Sequence, residues 1–115
     1  MGPKEALDTI ELSGSAISFA GHDPVRLGIV TGDYDAEGRL VACEEFSCEV
    51  QVRAHGDTVA ATARIVDGEL VIRFDDPLAG VAAGQSAVMY RGTRVLGQVT
   101  IDRTVSADAE QLQRA

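Results

Sequence analysis

From Phe46 onward apolar and polar residues alternate one by one, and this period of two constrains the fold more than any other feature. Phe46, Cys48, Val50 and Val52 share one face, while Ser47, Glu49, Gln51 and Arg53 share the other. A half-buried β-strand has this pattern; a helix does not. After His55-Gly56-Asp57 the alternation resumes, with Val59, Ala61, Ala63 and Ile65 inward against Thr58, Thr62 and Arg64. Asp67-Gly68 then supplies the strongest two-residue hairpin signal, because both central positions of that turn need a left-handed backbone. The returning strand, Glu69 to Phe74, places Leu70, Ile72 and Phe74 inward. Asp75-Asp76-Pro77 is expected to stop it, since proline cannot donate to a ladder.

Residues 78–85 form an apolar connection punctuated by Gly80 and Gly84. A short strand from Ala87 to Tyr90, a turn at Arg91-Gly92 and a return from Thr93 to Asp102 follow. Gly97 within the return predicts a bulge or the close approach of another backbone. Earlier in the chain, Thr9 to Leu12 and Ser15 to Phe19 read as strands broken at Ser13-Gly14. Gly21 to Gly38 reads as a long acidic loop with Leu27 to Val30 as an edge strand. Ser106 to Arg114 combines an N-cap residue with helix formers, but its one large apolar residue, Leu112, leaves a short helix or a frayed tail. The expectation is an all-β domain, a small closed or partly open antiparallel β-barrel of about six strands. Residues 1–45 would be an irregular segment with short strands and the acidic loop, 46–103 the barrel core and 104–115 the tail. Few aromatics and many Ala, Val and Gly suit a narrow interior.

Charge narrows the function. The 115 residues carry a formal net charge of −8, which excludes a strongly basic nucleic-acid module and a basic membrane-surface helix. No apolar run approaches the roughly 18–20 residues of a membrane span, and no charged-then-apolar leader is present. The acidity is uneven: residues 1–45 sum to −6 and residues 46–103 to −1, with arginine as the only base in the second stretch. Arginine suits planar, bidentate contact with phosphate or carboxylate. Its bland alternative is a solvated strand face paired with nearby acids.

Chemistry-bearing constellations are missing from the pattern. Cys43 and Cys48 are too few for a disulfide framework, and with His22 and His55 they give no zinc spacing. Cys48 falls on the inward face; Cys43 borders an acidic stretch that would raise its pKa. Asp33, Asp35 and Glu37 resemble a fragment of a calcium loop but lack the flanking helices and the distal Glu. Asp75-Asp76 is more simply a strand terminator than a carboxylate pair. Gly80-Val81-Ala82-Ala83-Gly84-Gln85 lacks the Lys-Ser/Thr ending of a phosphate loop. No catalytic residue, no metal site and no cofactor are assigned to the chain itself.

Three stretches resemble one family. Phe46 to Gly56 (Phe-Ser-Cys-Glu-Val-Gln-Val-Arg-Ala-His-Gly) is similar to the strand opening the C-terminal barrel of the tRNA-specific 2-thiouridylases, where a Cys-x-Val/Ala-x-x-Arg pattern precedes a turn. Leu70 to Tyr90 resembles that family's run ending in Pro-Gly-Gln-x-x-Val-x-Tyr, with Ala83 in place of the proline. Arg91 to Ile101 resembles its terminal strand, with Gln98 where many members have Gly. Gly2-Pro3-Lys4-Glu5-Ala6-Leu7 is similar to the segment with which the barrel begins. Residues 21–45 match least and look like an insertion.

The resemblance implies a C-terminal domain excised from a longer enzyme that adenylates C2 of the wobble uridine of tRNA with ATP. Sulfur then arrives through a cysteine persulfide. An N-terminal domain with a Ser-Gly-Gly-x-Asp-Ser loop does that work, fed by a sulfur-relay protein or cysteine desulfurase in the cytoplasm. Neither Cys43 nor Cys48 inherits the persulfide role. The barrel would resemble domain two of translation elongation factors and help to position tRNA. On that reading the RNA-binding candidates are Arg53 and His55, on the polar face at a strand end, and Arg91 and Arg94 at the last hairpin. With its negative charge the isolated chain is expected to bind tRNA very weakly, because phosphate attraction dominates such affinities. A different class of function is a free-standing β-barrel that binds a protein partner, and an upstream reading frame lacking the Ser-Gly-Gly-x-Asp-Ser loop would favour it. An independent small enzyme would need a convergent polar constellation, and none is present.

Overall fold

A computed structural model describes residues 9–52 and 57–106, and every regular element among them is a β-strand. In chain order these are β1 (Thr9–Gly14), β2 (Ile17–Phe19), β3 (Gly32–Tyr34), β4 (Leu40–Val52), β5 (Val59–Val66), β6 (Glu69–Leu78), β7 (Ser86–Arg91), β8 (Arg94–Thr100) and β9 (Arg103–Ser106). They form one sheet in the order β2-β8-β7-β4-β5-β6-β1-β9, with β3 added to β4. All pairings are antiparallel. No helix among the described residues is long and apolar enough to cross a membrane.

The β5–β6 hairpin forms where the alternation and Asp67-Gly68 place it. Asp67 has φ 50 and Gly68 φ 77, the two left-handed positions of a primed turn whose twist matches the strands it joins. The Gly68 N–H donates to the Val41 carbonyl at 2.8 Å, tying the turn to the start of β4. Inward residues of β4, β5 and β6 (Phe46, Val50, Ala63, Ile65, Leu70 and Ile72) are at most 4% exposed. They meet Met89, Leu96 and Val99 from β7 and β8 in a single core. Each fully buried Leu, Ile or Met contributes about 1.5–3 kcal/mol of apolar transfer. Small residues such as Ala61, Ala63 and Ala87 line the rest, which keeps the interior narrow.

The sheet curls without closing into a continuous ladder. β1 pairs with β6 and β2 pairs with β8, although only Ser15 and Ala16 separate them in the chain. The segment 9–19 therefore bridges the two flanks of the six-strand path β8-β7-β4-β5-β6-β1. Two backbone bonds hold the bridge: Thr100 N–H to the Ala16 carbonyl at 3.2 Å and Asp102 N–H to the Ser13 carbonyl at 2.8 Å. Gly97 of β8 fulfils both sequence expectations. A Cβ there would stand 2.4 Å from the Ser18 carbonyl oxygen, and the β7–β8 register shifts beside it, between Met89 and Tyr90.

Local readings differ from the structure in a few places, each for a physical reason. Nine strands stand where about six were expected: β3 and β9, of three and four residues, are too short to show a period, and β2 occupies only Ile17–Phe19 of the strand read from Ser15. Leu27 to Val30 is not an edge strand; residues 23–29 fold back on themselves. Leu27 N–H donates to the Asp23 carbonyl, Ile29 N–H to the Pro24 carbonyl and Arg26 N–H to the Asp23 carboxylate. Those donors are spent locally, and Gly32–Tyr34 pairs with β4 instead. Pro77 does not end β6, which runs to Leu78. Between Thr9↔Leu78 and Glu11↔Arg73 the β1–β6 register is irregular, so the ladder does not require a donor at Pro77. The strand read from Thr93 to Asp102 ends at Thr100, and β9 follows after Ile101 and Asp102. Ser106, read as a helix cap, closes β9; the rest of the tail lies outside the described residues.

Candidate nucleic-acid interface

Arg91 ends β7, Arg94 begins β8, and the two are register partners across the tight turn at Gly92 and Thr93. Gly92 has φ 63, a conformation that a side chain would strain, so glycine sets the turn that brings the arginines together. Both arginines are exposed. Like charges placed opposite one another repel by a few tenths of a kcal/mol. Four other described arginines are compensated. Arg26 lies 3.6 Å from Asp23, Arg39 3.2 Å from Asp35, Arg73 3.9 Å from Glu11, and Arg103 pairs with Glu69. Arg64, Arg91 and Arg94 reach no carboxylate among the described residues. Arg64 stands alone on β5; among the described residues, Arg91 and Arg94 form the one uncompensated pair. Two guanidinium groups side by side present forked donors suited to the oxygens of a phosphate.

Arg53 and His55, the other sequence candidates, lie outside the described residues. The structure adds two open grooves that meet at the hairpin. One, about 440 Å³, is walled by Leu27, Ile29, Arg91, Gly92, Arg94 and Leu96. The other, about 270 Å³, is walled by Ser47, Cys48, Glu49, Tyr90, Arg91 and Gly92. The apolar wall at Leu27 and Ile29 comes from the folded-back loop, which sequence reading placed in an edge strand. Tyr90 was also passed over, although Met89 inward and Arg91 exposed mark it as an outward aromatic beside a basic turn. Its hydroxyl donates to Gln51 Oε1 at 3.0 Å.

The cysteines are built for packing. Cys43 and Cys48 are both unpaired and buried. Burial pushes the Cys48 thiol up to about 11, against the opposing pull of Arg91 and with small additions from Asp75 and Glu49. Burial likewise raises Cys43, opposed by a hydrogen bond with the Ile65 backbone and reinforced by Asp23 and Glu44. At neutral pH both remain protonated, and neither is poised as a nucleophile.

The acidic loop is occupied with itself. Asp35 Oδ1 accepts from the Arg39 and Glu37 N–H groups, each at 2.9 Å, and Oδ2 accepts from Arg39 Nε at 3.2 Å. Chiefly the Arg39 N–H, helped by the Glu37 N–H and the Arg39 guanidinium, holds the Asp35 carboxyl below its ordinary value against an opposing desolvation effect. Asp23 accepts from the Tyr34 hydroxyl at 2.9 Å, and the Arg26 guanidinium lies 5.3 Å from the centre of the Tyr34 ring. Among the described residues no group of three or more His, Cys, Asp or Glu side chains could hold a metal ion.

A family model described as the aminomethyltransferase beta-barrel domain matches residues 35–101, more than half of the chain. The chain belongs to that family. The match spans β4 to β8 and the turn before β4, so the paired arginines lie within the family's own region. Relatives bear out the resemblance to tRNA-specific 2-thiouridylases. The chain is 52% identical over 107 residues to the tRNA-specific 2-thiouridylase MnmA of Leifsonia xyli subsp. xyli (strain CTCB07), covering 93% of this chain and 25% of that protein. Its identity with the MnmA of Clavibacter sepedonicus is 50% over 114 residues, covering 96% of this chain and 25% of that protein. With the MnmA of Arthrobacter sp. (strain FB24) it is 43% over 124 residues, covering 100% and 28%. This beta-barrel domain thus spans about a quarter of the length of the curated relatives it matches. They match through residues 21–45 as well, since their alignments cover nearly the whole chain.

Proposed function

We propose that the chain is the C-terminal accessory β-domain of a tRNA 2-thiouridylase and that it contacts tRNA without performing chemistry. The observation that carries this reading is the match to 2-thiouridylases along 93–100% of this chain. The Arg91–Arg94 hairpin supports the contact: it is the uncompensated cationic pair of the described surface, and two phosphate oxygens would relieve its repulsion. Arg53 and His55, which follow β4 in the chain, are proposed as further contributors to the contact. Activation of the uridine with ATP and sulfur delivery from a persulfide, through a sulfur-relay protein or cysteine desulfurase, fall to the remainder of the enzyme. Both steps fit a cytoplasmic setting.

Thiolation kinetics of the complete enzyme test the reading. Arg91→Glu together with Arg94→Glu is expected to lower kcat/KM for tRNA by about tenfold or more, mainly through KM, because each reversal replaces a phosphate attraction by a repulsion. Unchanged kinetics in a folded double variant would remove the hairpin from the tRNA interface. Absence of any uridine thiolation by the wild-type protein would remove the reading altogether.

A further inference from the structure

Arg91 and Arg94 face a groove whose floor is aliphatic. Its volume is about 440 Å³, and Leu27, Ile29, Gly92 and Leu96 line it together with the two arginines. Met89, two residues before Arg91, is fully buried, and Leu96, two residues after Arg94, is 1% exposed. Both arginines therefore leave the hairpin on the side of the sheet that carries the core. Leu27 and Ile29 reach the groove from the fold-back at residues 23–29 and are half-buried where they pack against that core. At Gly92 the wall stays open, with no atom within 4 Å of where a Cβ would stand. Four other grooves on the described surface each carry a carboxylate in the wall, among them Glu44, Asp35, Glu49 and Glu11. This one carries two cations and, among the described residues, no acid, in a chain of net charge −8.

We propose that this groove receives one unpaired nucleotide of an RNA, its phosphate held between Arg91 and Arg94 and its base and sugar laid along Leu27, Ile29 and Leu96. The inference rests on the tRNA reading above and narrows that contact from phosphate backbone in general to a nucleotide turned out of the helix. Charge complementarity selects the anion: two forked guanidinium groups with no acid beside them suit the oxygens of a phosphate. The floor selects what accompanies it. A duplex keeps its bases stacked inside, so it would bring phosphates to the arginines and leave the aliphatic floor in water. An unpaired nucleotide offers a phosphate and an exposed ring face together. The groove also falls within the roughly 300–1,000 Å³ usual for a small-ligand site. No described lining side chain other than the arginines can form a hydrogen bond. The groove thus takes the nucleotide by shape and charge and does not read which base it is.

Nuclear magnetic resonance on the full 115-residue chain at low ionic strength tests the proposal. The probes are a short single-stranded RNA of mixed sequence, a fully base-paired RNA, inorganic polyphosphate and an acidic peptide containing leucine. Single-stranded RNA is expected to shift the methyl groups of Leu27, Ile29 and Leu96 together with the Arg91 and Arg94 amides. Base-paired RNA and polyphosphate should shift the amides alone. Leu27→Ala should weaken single-stranded RNA binding about three- to tenfold and leave polyphosphate binding unchanged. Should that variant disturb the loop, the wild-type methyl shifts decide on their own. Amide shifts with still methyls in every arm would overturn the groove while leaving the phosphate contact standing. Methyl shifts from the peptide equal to those from RNA would give the groove to a protein partner and overturn the nucleotide. No shift at the groove with RNA at millimolar concentration would overturn it as well. Thiolation kinetics of the arginine-reversed enzyme read the tRNA contact separately, so the two failures are distinguishable.

Discussion

Gly97 of β8 lies against Ser18 of β2 so closely that a Cβ on Gly97 would stand 2.4 Å from the Ser18 carbonyl oxygen and 3.0 Å from the Phe19 Cα. The obstructing atoms are backbone, so no rotamer change relieves the contact. Gly14 repeats the arrangement at the other end of the bridge, where a Cβ would meet the Thr100 carbonyl oxygen at 2.1 Å. Gly97→Ala is therefore expected to destabilise the fold by about 2–3 kcal/mol, at the upper end of overpacking costs. Urea unfolding would show a lower midpoint with an unchanged slope. A loss below about 0.5 kcal/mol would mean that segment 9–19 does not hold the two flanks together as described.

Legibility in the sequence followed the length of the alternation. From Phe46 to Phe74 the second half of β4, both hairpin strands and their turn could be read because inward residues recur at every second position and Asp67-Gly68 fits one turn type. β4 begins six residues before Phe46, at Leu40, and that half was hidden. Between Cys43↔Ile65 and Phe46↔Ala63, β4 advances three residues while β5 advances two. The extra residue is a bulge, so Cys43 and Phe46 are both buried although strict alternation would put them on opposite faces. The site divides in the same way. Arg91 and Arg94 were legible because a turn exposes them, but their lack of carboxylate partners depends on tertiary placement. The grooves depend on the loop at Leu27 and Ile29, whose fold-back is set by the Asp23 carboxylate rather than by any apolar period.

Arg94→Gln should separate stability from binding. Removing one of two opposed cations is expected to stabilise the fold slightly, by about 0.2–1 kcal/mol, measured as a higher thermal midpoint. The same change should weaken association with tRNA and reduce the slope of log affinity against log salt by roughly 0.7–0.9. An unchanged salt slope would show that Arg94 makes no phosphate contact.

Asp23 is the anchor of the acidic loop. Its side chain, 11% exposed, accepts from the Tyr34 hydroxyl and the Arg26 N–H at 2.9 Å each. Tyr34→Phe removes one donor and should cost about 1–2 kcal/mol, since a hydrogen bond to an ionised acceptor exceeds an ordinary one. Asp23→Ala should cost more, because it also releases the Arg26 N–H that caps the turn. The double variant should be milder than the sum, with a coupling of about 1 kcal/mol or more in a double-mutant cycle. Additive effects would show that the hydroxyl and the carboxylate are not partners in solution.

Cys48 makes stability fall in alkali. Burial lifts its thiol from the ordinary 9.0 to about 11, so the folded chain keeps the proton over a range in which the unfolded chain releases it. The unfolded state is thus favoured progressively as pH rises from 9 towards 11, and the stabilisation is fully present below pH 9. A shift of that size corresponds to a loss on the order of 2 kcal/mol across the window. Cys48→Ala removes the ionisable group at the cost of a small cavity, so it should be less stable at pH 7 yet show a flatter decline above pH 9. Urea midpoints at pH 7, 9 and 11 for the two proteins check this. Parallel declines would mean that solvent reaches the thiol and that Cys48 is not sealed between Phe46 and Val50 on the inner face of β4.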